Sequence, residues 1–168
     1  ILFVNDVSSG LNDMNMLKTV SHLKCNYIMT HMPAEHQKGL NKKYNNVLDE
    51  LNIFFNERIK SCIEQGIGKE KIIIDPGIGF GKSGDDNIKI LENINVLKSI
   101  HTNICIGSSN KRFSSKLFDG IETKDDLKVA NLATFAVSSL RGATYLRVHD
   151  VDITKDTIMI IDKVKNVS

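Results

Sequence analysis

The sequence is poor in cysteine, has no long apolar run and carries almost balanced charge. Its three cysteines, Cys25, Cys62 and Cys105, lie far apart and are odd in number. That pattern excludes a disulfide framework and the close spacing of a cysteine metal site, and it favours a reducing, cytoplasmic compartment. No apolar stretch approaches the roughly 20 residues of a membrane-spanning helix, and no secretory signal is visible in the printed residues. The net charge of +2 is small and scattered, so the sequence does not predict nucleic-acid binding.

The most informative stretch is a short apolar run that ends on an acidic residue and a glycine-rich loop. Ile72, Ile73 and Ile74 predict a strand buried on both faces, and Pro76 cannot extend it because it has no N–H to donate. Glycines at positions 77, 79 and 81 let a ligand approach the loop backbone closely. Asp75 is therefore a candidate ligand-binding residue, with capping of the next helix as the alternative reading. The glycine spacing matches neither the P-loop nor the dinucleotide-binding pattern.

Strands and helices alternate five times along the 168 residues. Predicted strands cover residues 1–4, 26–29, 72–74, 103–106 and 144–148. Predicted helices start near residue 12 and end at 23, then cover 44–65, 85–99, 124–140 and 154–167, with a short helix and loop over 113–121. Strict alternation predicts an α/β fold with a parallel sheet and right-handed crossovers.

Two architectures fit this pattern. One is an open doubly wound sheet, and the other is five of the eight units of a (β/α)8 barrel, which typically needs about 250 residues. The chain begins inside a predicted strand and without methionine, so we expect it to be part of a longer chain. We therefore favour a partial barrel that lacks its first three βα units, with residues 1–168 forming one truncated domain.

Every predicted strand ends on polar or charged residues. They are Asn5, Asp6, His31, Asp75, Ser109, Lys111, Arg147 and His149. In a barrel the carboxyl ends of all strands converge on one mouth, so we expect these groups to form one site.

Two combinations of these groups suggest a chemistry. Arg147 and His149 are two residues apart on a strand, so they share a face and suit a phosphate as an anion clamp; the alternative is an Arg147 paired with Asp150 or Asp152. Asn5 and Asp75 together offer acceptors for the N–H edge of a flat heterocycle. Lys111 adds a third cation at the mouth.

Five motifs, in order and spacing, resemble the dihydropteroate synthase family. They lie at residues 4–8, 29–32, 75–82, 107–111 and 146–151, and the most specific are Asp-Pro-Gly-Ile-Gly-Phe-Gly-Lys and Arg-Val-His-Asp-Val. The resemblance implies a (β/α)8 barrel that acts in folate biosynthesis. Such an enzyme condenses 6-hydroxymethyl-7,8-dihydropterin diphosphate with 4-aminobenzoate, using Mg²⁺, and releases 7,8-dihydropteroate and diphosphate.

The resemblance also assigns roles to particular residues. Asn5 and Asp75 are expected to bind the pterin ring, with Lys111 at its side, while Arg147 and His149 hold the diphosphate. Lys111, Arg147 and His149 are thus the expected catalytic residues. Phe80 and Ser109 are expected to border the aminobenzoate pocket, and Met32 to line the pterin pocket. The metal ligand is expected in the missing amino-terminal units, so this chain is predicted to supply none, and the full-length form is expected to be a homodimer.

The sequence departs from the family pattern at two motifs. Asn110 stands where the family has arginine, and Thr30-His31-Met32 replaces the usual Met-His-Met. Because the first three units are absent, a non-catalytic fragment that at most binds pterin is the alternative function. A pterin-binding methyltransferase barrel is a third hypothesis, and the Arg147–His149 clamp argues against it because a methyl donor has no diphosphate.

Overall fold

The predicted alternation of strands and helices is present in the computed structural model, which describes residues 2–108 and 123–165. The strands are β1 (Phe3–Asp6), β2 (Asn26–Thr30), β3 (Ile72–Asp75), β4 (Cys105–Ile106) and β5 (Tyr145–Leu146). The helices are α1 (Met16–Leu23), α2 (Ala34–Gln37), α3 (Val47–Glu64), α4 (Gly84–Glu92), α5 (Ile94–Leu97), α6 (Lys124–Leu140) and α7 (Val151–Lys165), with a 3-10 turn at Lys69–Lys71. The helix predicted over 113–121 lies outside the described residues.

The strands follow one another in space in the same order as in the chain. β1 pairs with β2, β2 with β3, and β4 with β5, all in parallel. A parallel bridge between Ile74 and Ile104 joins the two groups, and the Ile74 N–H donates to the Asn103 carbonyl at 3.0 Å. A doubly wound sheet reverses its strand order at a switch point, whereas this order is that of a barrel wall. The partial barrel is therefore confirmed and the open doubly wound sheet was the wrong alternative.

The strand register separates two faces of the sheet. On the outer face, Tyr27 and Met29 of β2 and Ile72 and Ile74 of β3 are all buried and form the hydrophobic core together with the helices. The inner face carries the alternate residues, which are Phe3, Asn5, Asn26, Ile28, Thr30, Ile73, Asp75, Cys105 and Tyr145, followed by Arg147. The candidate polar groups Asn5, Asp75 and Arg147 thus all belong to the inner face.

The longest helix of the described ranges, α3, presents an apolar stripe to the core. Its buried residues recur every three or four positions, as helical periodicity requires; they are Val47, Leu51, Phe55, Ile59 and Cys62. The Asn46 side chain accepts from the Leu48 N–H at 3.2 Å and caps the first turn. None of the helices in residues 2–108 and 123–165 is long and apolar enough to cross a bilayer.

Several predicted element boundaries were wrong, each for a local reason. The segment predicted as a polar loop contains α2, and the helix predicted over 85–99 is divided into α4 and α5 at Asn93. α4 is capped by Ser83, whose hydroxyl accepts from the Asp86 N–H at 3.1 Å, so Asp75 is not the cap. α1 begins at Met16, later than predicted, after an Asp13 side chain that accepts from the Asn15 N–H at 2.8 Å.

Candidate functional site

Three predicted site residues meet at the carboxyl ends of the strands, on the inner face. The Arg147 guanidinium donates through Nη1 to the Asn5 side-chain oxygen at 2.6 Å, and its Nη2 lies 2.9 Å from Asp75 Oδ2. Asp75 is fully buried, whereas the Arg147 side chain is 34% exposed. Since charge-assisted pairs of this kind are strong, one planar cation bridges β1 and β3. Arg147 pairs with neither Asp150 nor Asp152, which removes that alternative.

Asp75 is held by the glycine-rich loop that follows it. Its Oδ1 accepts from the Gly77 N–H at 2.8 Å. Gly77 has a φ of +71°, and a Cβ there would collide with the His31 carbonyl oxygen, so this position requires glycine. The sharp turn directs the Asp75 carboxylate toward the inner face rather than along the strand.

A buried lysine fastens the same loop to the end of β2. Lys82 is 5% exposed, and its ammonium donates to the carbonyls of His31 at 3.1 Å, Gly77 at 3.0 Å and Phe80 at 3.1 Å. Three backbone acceptors compensate for the removal of this charge from water. The loop that carries Asp75 is therefore held against the end of β2 by a buried cation.

Gly107 gives Arg147 the room it needs. A Cβ on Gly107 would lie 2.5 Å from Arg147 Nη2 and 2.9 Å from its Nε. The guanidinium therefore packs directly over the β4 backbone, and a larger residue at position 107 would displace it.

Phe80 is half-buried and is positioned by a residue that the sequence did not single out. Its ring contacts the His36 ring edge-on, with centroids 5.1 Å apart, and the Gly81 N–H donates to His36 Nδ1 at 3.1 Å. His36 lies in α2, which the sequence did not predict, and no sequence signal links it to a loop more than 40 residues away. His36 thus orients the aromatic residue expected at the aminobenzoate pocket.

His31 and Asp6 end strands but lie on the outer side of the sheet. His31 is 2% exposed and packs edge-on against Phe54, with ring centroids 4.8 Å apart. Burial, together with the charges of Lys82 and Lys42, lowers the pKa of His31 to about 2, so it is neutral and buried in the core. The expectation that His31 lies at the mouth of the barrel was wrong.

Asp6 has a structural role for a similar reason. Its carboxylate accepts from the Ser8 N–H at 2.8 Å, the Gly10 N–H at 2.6 Å and the Tyr27 hydroxyl at 2.7 Å. Burial raises the pKa of Asp6, but hydrogen bonds, above all from Ser8 and Tyr27, outweigh it and leave the pKa below its usual value. Asp6 therefore organises the turn after β1 and faces away from Arg147.

The remaining predicted site residues are not joined to this cluster. His149 is exposed and lines a narrow crevice with Lys128 and Asn131 of α6 and Thr154 of α7, so its predicted side-by-side arrangement with Arg147 stays a prediction. Met32 is half-buried at the end of β2. Ser109 and Lys111 lie outside the described residues.

The described residues do not offer a ligand set for a metal ion. No group of three or more His, Cys, Asp or Glu side chains that could hold a metal occurs within residues 2–108 and 123–165. The carboxylate nearest the mouth, Asp75, is engaged by Gly77 and Arg147. Since Mg²⁺ needs several oxygen ligands, this donor set does not fit a resident magnesium ion.

Sequence comparison identifies related proteins. A profile of the family described as pterin binding enzyme matches residues 2–149. The chain is 32% identical to the mitochondrial folate synthesis bifunctional protein of Pisum sativum, over 96% of this chain and 33% of that protein. It is 31% identical to the dihydropteroate synthase of Haemophilus influenzae, over 94% of this chain and 56% of that enzyme.

Structure comparison agrees with the sequence matches. The fold is similar to that of Xanthomonas albilineans dihydropteroate synthase with 4-aminobenzoic acid, with a TM-score of 0.89 and 34% identity over 99% of this chain and 61% of that one. A second structure of that enzyme, in complex with 7,8-dihydropteroate, gives a TM-score of 0.87 and 33% identity over 97% of this chain and 60% of that one. The chain thus spans between 33% and 61% of the length of these relatives.

Proposed function

This chain belongs to the pterin binding enzyme family, and from that premise we propose that it is the carboxyl-terminal five βα units of a dihydropteroate synthase. Residues 1–168 form a single pterin-binding domain in this proposal. The reaction joins 6-hydroxymethyl-7,8-dihydropterin diphosphate to 4-aminobenzoate in folate biosynthesis. Support comes from the similarity to dihydropteroate synthases and from the 4-aminobenzoic acid and 7,8-dihydropteroate bound in the similar structures.

The observation that carries the proposal is the spacing of Asn5 and Asp75. Both contact one planar group, the Arg147 guanidinium: the Asn5 side-chain oxygen accepts a hydrogen bond from it at 2.6 Å, and the Asp75 carboxylate forms an ion pair with it at 2.9 Å. The amino-pyrimidinone edge of a pterin is also planar and also presents adjacent N–H donors. A pterin can therefore take the place that the guanidinium holds between these two acceptors.

That exchange gives Arg147 its second role. Once the pterin ring lies against Asn5 and Asp75, the displaced guanidinium is free to bind the diphosphate on the same ligand, as a bidentate donor to phosphate oxygens. His149 and Lys111 supply further positive charge in this proposal. The pterin half of the ligand thus displaces the arginine, and the diphosphate half binds it.

The chemistry is a displacement at the exocyclic methylene carbon. The amine nitrogen of 4-aminobenzoate forms the new C–N bond, the C–O bond to diphosphate breaks with its electron pair leaving on the oxygen, and the amine loses one proton. No covalent enzyme nucleophile is needed. The residues of this chain stabilise the charge that develops on the leaving group and align the amine behind the carbon.

We assign the aminobenzoate pocket to Phe80 and Ser109, and the lining of the pterin pocket to Met32. The His36 ring fixes the Phe80 ring beside the loop that holds Asp75. The similar structure with 4-aminobenzoic acid supports a nearby amine site. The Mg²⁺ expected from the family resemblance would need ligands beyond the described residues, and the residue roles above do not depend on it.

We propose a cytoplasmic homodimer for the full-length form. Exposed apolar residues occur on both carboxyl-terminal helices; they are Val129, Val137 and Leu140 of α6, and Val151, Met159, Ile160 and Val164 of α7. Their burial against a second copy would remove apolar area from water. The low number of cysteines supports a reducing compartment.

The proposed activity is tested by 4-aminobenzoate-dependent release of diphosphate from 6-hydroxymethyl-7,8-dihydropterin diphosphate. The chain is assayed alone and together with the amino-terminal βα units of the Haemophilus influenzae relative, supplied as a separate polypeptide. Turnover in either case supports the proposal. Pterin binding without turnover in both cases would instead favour the non-catalytic alternative, and no pterin binding would reject both.

A further inference from the structure

We propose that the Thr30 hydroxyl is a specificity-determining group, which hydrogen-bonds a ring heteroatom of the pterin held between Asn5 and Asp75. This inference rests on the proposed function. The sequence shows Thr30 only as part of the Thr30-His31-Met32 departure from the usual Met-His-Met, whose methionines carry no hydroxyl. The hydroxyl would therefore be a feature of this chain's own site.

The first argument is an unsatisfied polar atom. Thr30 is fully buried, and its Oγ1 has no hydrogen-bond partner among the described residues. Ser9 and Thr134 show the usual arrangement, since their hydroxyls donate to backbone carbonyls at 2.9 and 2.8 Å. Within the described residues, the buried hydroxyls of Tyr44 and Ser108 also lack a partner, but neither belongs to a strand between Asn5 and Asp75. Buried polar side chains without a partner are uncommon and indicate a missing ligand or a strained position.

The second argument is where the hydroxyl lies. β2 runs between β1 and β3. Thr30 is the register partner of Asp75, and Ile28, two residues earlier on the same face, is the register partner of Asn5. A planar group that touches both Asn5 and Asp75 must therefore pass over the segment of β2 that ends at Thr30. The guanidinium of Arg147 contacts both residues.

The third argument is chemical complementarity. A guanidinium has only donors, so a hydroxyl can accept from it but cannot donate to it. Its Nη1 and Nη2 are directed at Asn5 and Asp75, and Thr30 Oγ1 accepts from neither. A pterin ring in the same place offers both N–H groups and acceptor atoms, and either can engage a hydroxyl, which donates once and accepts twice. The exchange of Arg147 for pterin would thus provide the partner that Thr30 lacks.

The hydroxyl is also preorganised. The Thr30 carbonyl accepts from the Ser9 hydroxyl at 2.9 Å, and the next residue, His31, donates its N–H to the Asp75 carbonyl at 2.9 Å. With the backbone fixed on both sides, a β-branched side chain has little rotameric freedom. Ligand binding would therefore cost little conformational entropy at the Thr30 side chain.

The test compares Thr30→Val, which keeps the shape and removes the hydroxyl, with Thr30→Ser, which keeps the hydroxyl and removes the methyl group. The dissociation constant of 6-hydroxymethylpterin is measured for the full chain and both variants, and the melting temperature of each is recorded. We expect Thr30→Val to weaken binding about five- to tenfold, with a melting temperature no lower than that of the parent chain. Thr30→Ser should stay within about twofold of the parent affinity.

Each other outcome contradicts the inference. Unchanged affinity in Thr30→Val means that the hydroxyl does not contact the ring. Equal losses in both variants assign the effect to the methyl group, and a lower melting temperature in Thr30→Val assigns a structural role to the hydroxyl. If the parent chain binds no pterin, the proposed function fails, and this inference fails with it; if the parent binds and the variants do not differ, only this inference fails.

Discussion

The two faces of the sheet use the same strands for opposite purposes. On the outer face, Met29 and Ile74 are fully buried in the hydrophobic core. One position further along each strand, Thr30 and Asp75 face inward and carry polar groups. A two-residue period is therefore enough to separate the residues that form the hydrophobic core from those proposed to bind a ligand. Substitutions on the two faces should therefore move different observables.

The largest effect is expected from the outer face. Ile74→Ala removes a fully buried side chain from the core and should lower the free energy of unfolding by about 2–5 kcal/mol. Denaturant titration measures it. In the fraction of molecules that remains folded, the affinity for pterin should stay close to that of the parent chain. A variant that loses affinity but not stability would break the separation between the faces.

The inner-face counterpart is Asp75→Asn, one residue away. It replaces an acceptor with a donor that faces the N–H edge of the ring, and a site left with mismatched polar groups rejects its ligand strongly. We expect pterin affinity to fall by at least about a hundredfold, measured by titration calorimetry. Retention of affinity would remove Asp75 from the site.

Arg147→Ala separates two ligand contacts within the inner face. The affinity for the diphosphate-carrying pterin should fall by about ten- to a hundredfold, because a charge-assisted contact is lost. The affinity for 6-hydroxymethylpterin should not fall, since that ligand competes with the guanidinium for Asn5 and Asp75. Equal losses for both ligands would count against the exchange.

His31 gives the outer face a pH dependence. Its folded-state pKa of about 2 is below the value of about 6.5 in an unfolded chain, so below pH 6.5 the unfolded state binds a proton that the folded state does not. Stability should therefore decrease by about 1 kcal/mol between pH 6 and pH 5 from this group. Thermal melts across that window measure the slope, and His31→Leu should make it shallower. An unchanged slope would show that His31 is accessible to protons in the folded chain.

The smallest effect is expected at Gly107. Gly107→Ala places a Cβ against the Arg147 guanidinium and should weaken binding of the diphosphate-carrying pterin by a few-fold, on the order of 1 kcal/mol or less. The matched control is Gly84→Ala in the first turn of α4, where an added Cβ meets nothing within 4 Å. Identical affinities in the two variants would mean that Arg147 does not depend on this space.

Much of the fold and part of the site were predictable from local patterns. Three consecutive isoleucines predict β3 because β-branched residues suit a strand covered on both faces, and α6 has the bounds that its periodicity indicates. The proximity of Asn5 and Asp75 was predicted because the carboxyl ends of barrel strands converge. The outward position of His31 could also have been predicted from the alternation of side chains along β2. His31 lies two residues after the core residue Met29 and therefore on the same face.

Other features depend on contacts between distant segments, which no local pattern encodes. The guanidinium of Arg147 pairs with Asp75 rather than with the nearby Asp150. The reason is the order of the strands, in which β4 joins β3 to β5 and Asp75 shares the inner face with Arg147. His36 meets Phe80 only because α2 folds back over the glycine-rich loop. The division between α4 and α5 falls at an Asn93 whose side chain bonds back to the Lys89 carbonyl at 2.8 Å, a competition that helix periodicity does not reveal.

The three carbonyls gathered by Lys82 have a consequence for how the site responds to its medium. Because that ammonium is almost entirely shielded from solvent, dissolved ions cannot screen its contacts, whereas they can screen the half-exposed Arg147. Raising the ionic strength should therefore lower the affinity for the diphosphate group and leave the conformation of the glycine-rich loop unchanged.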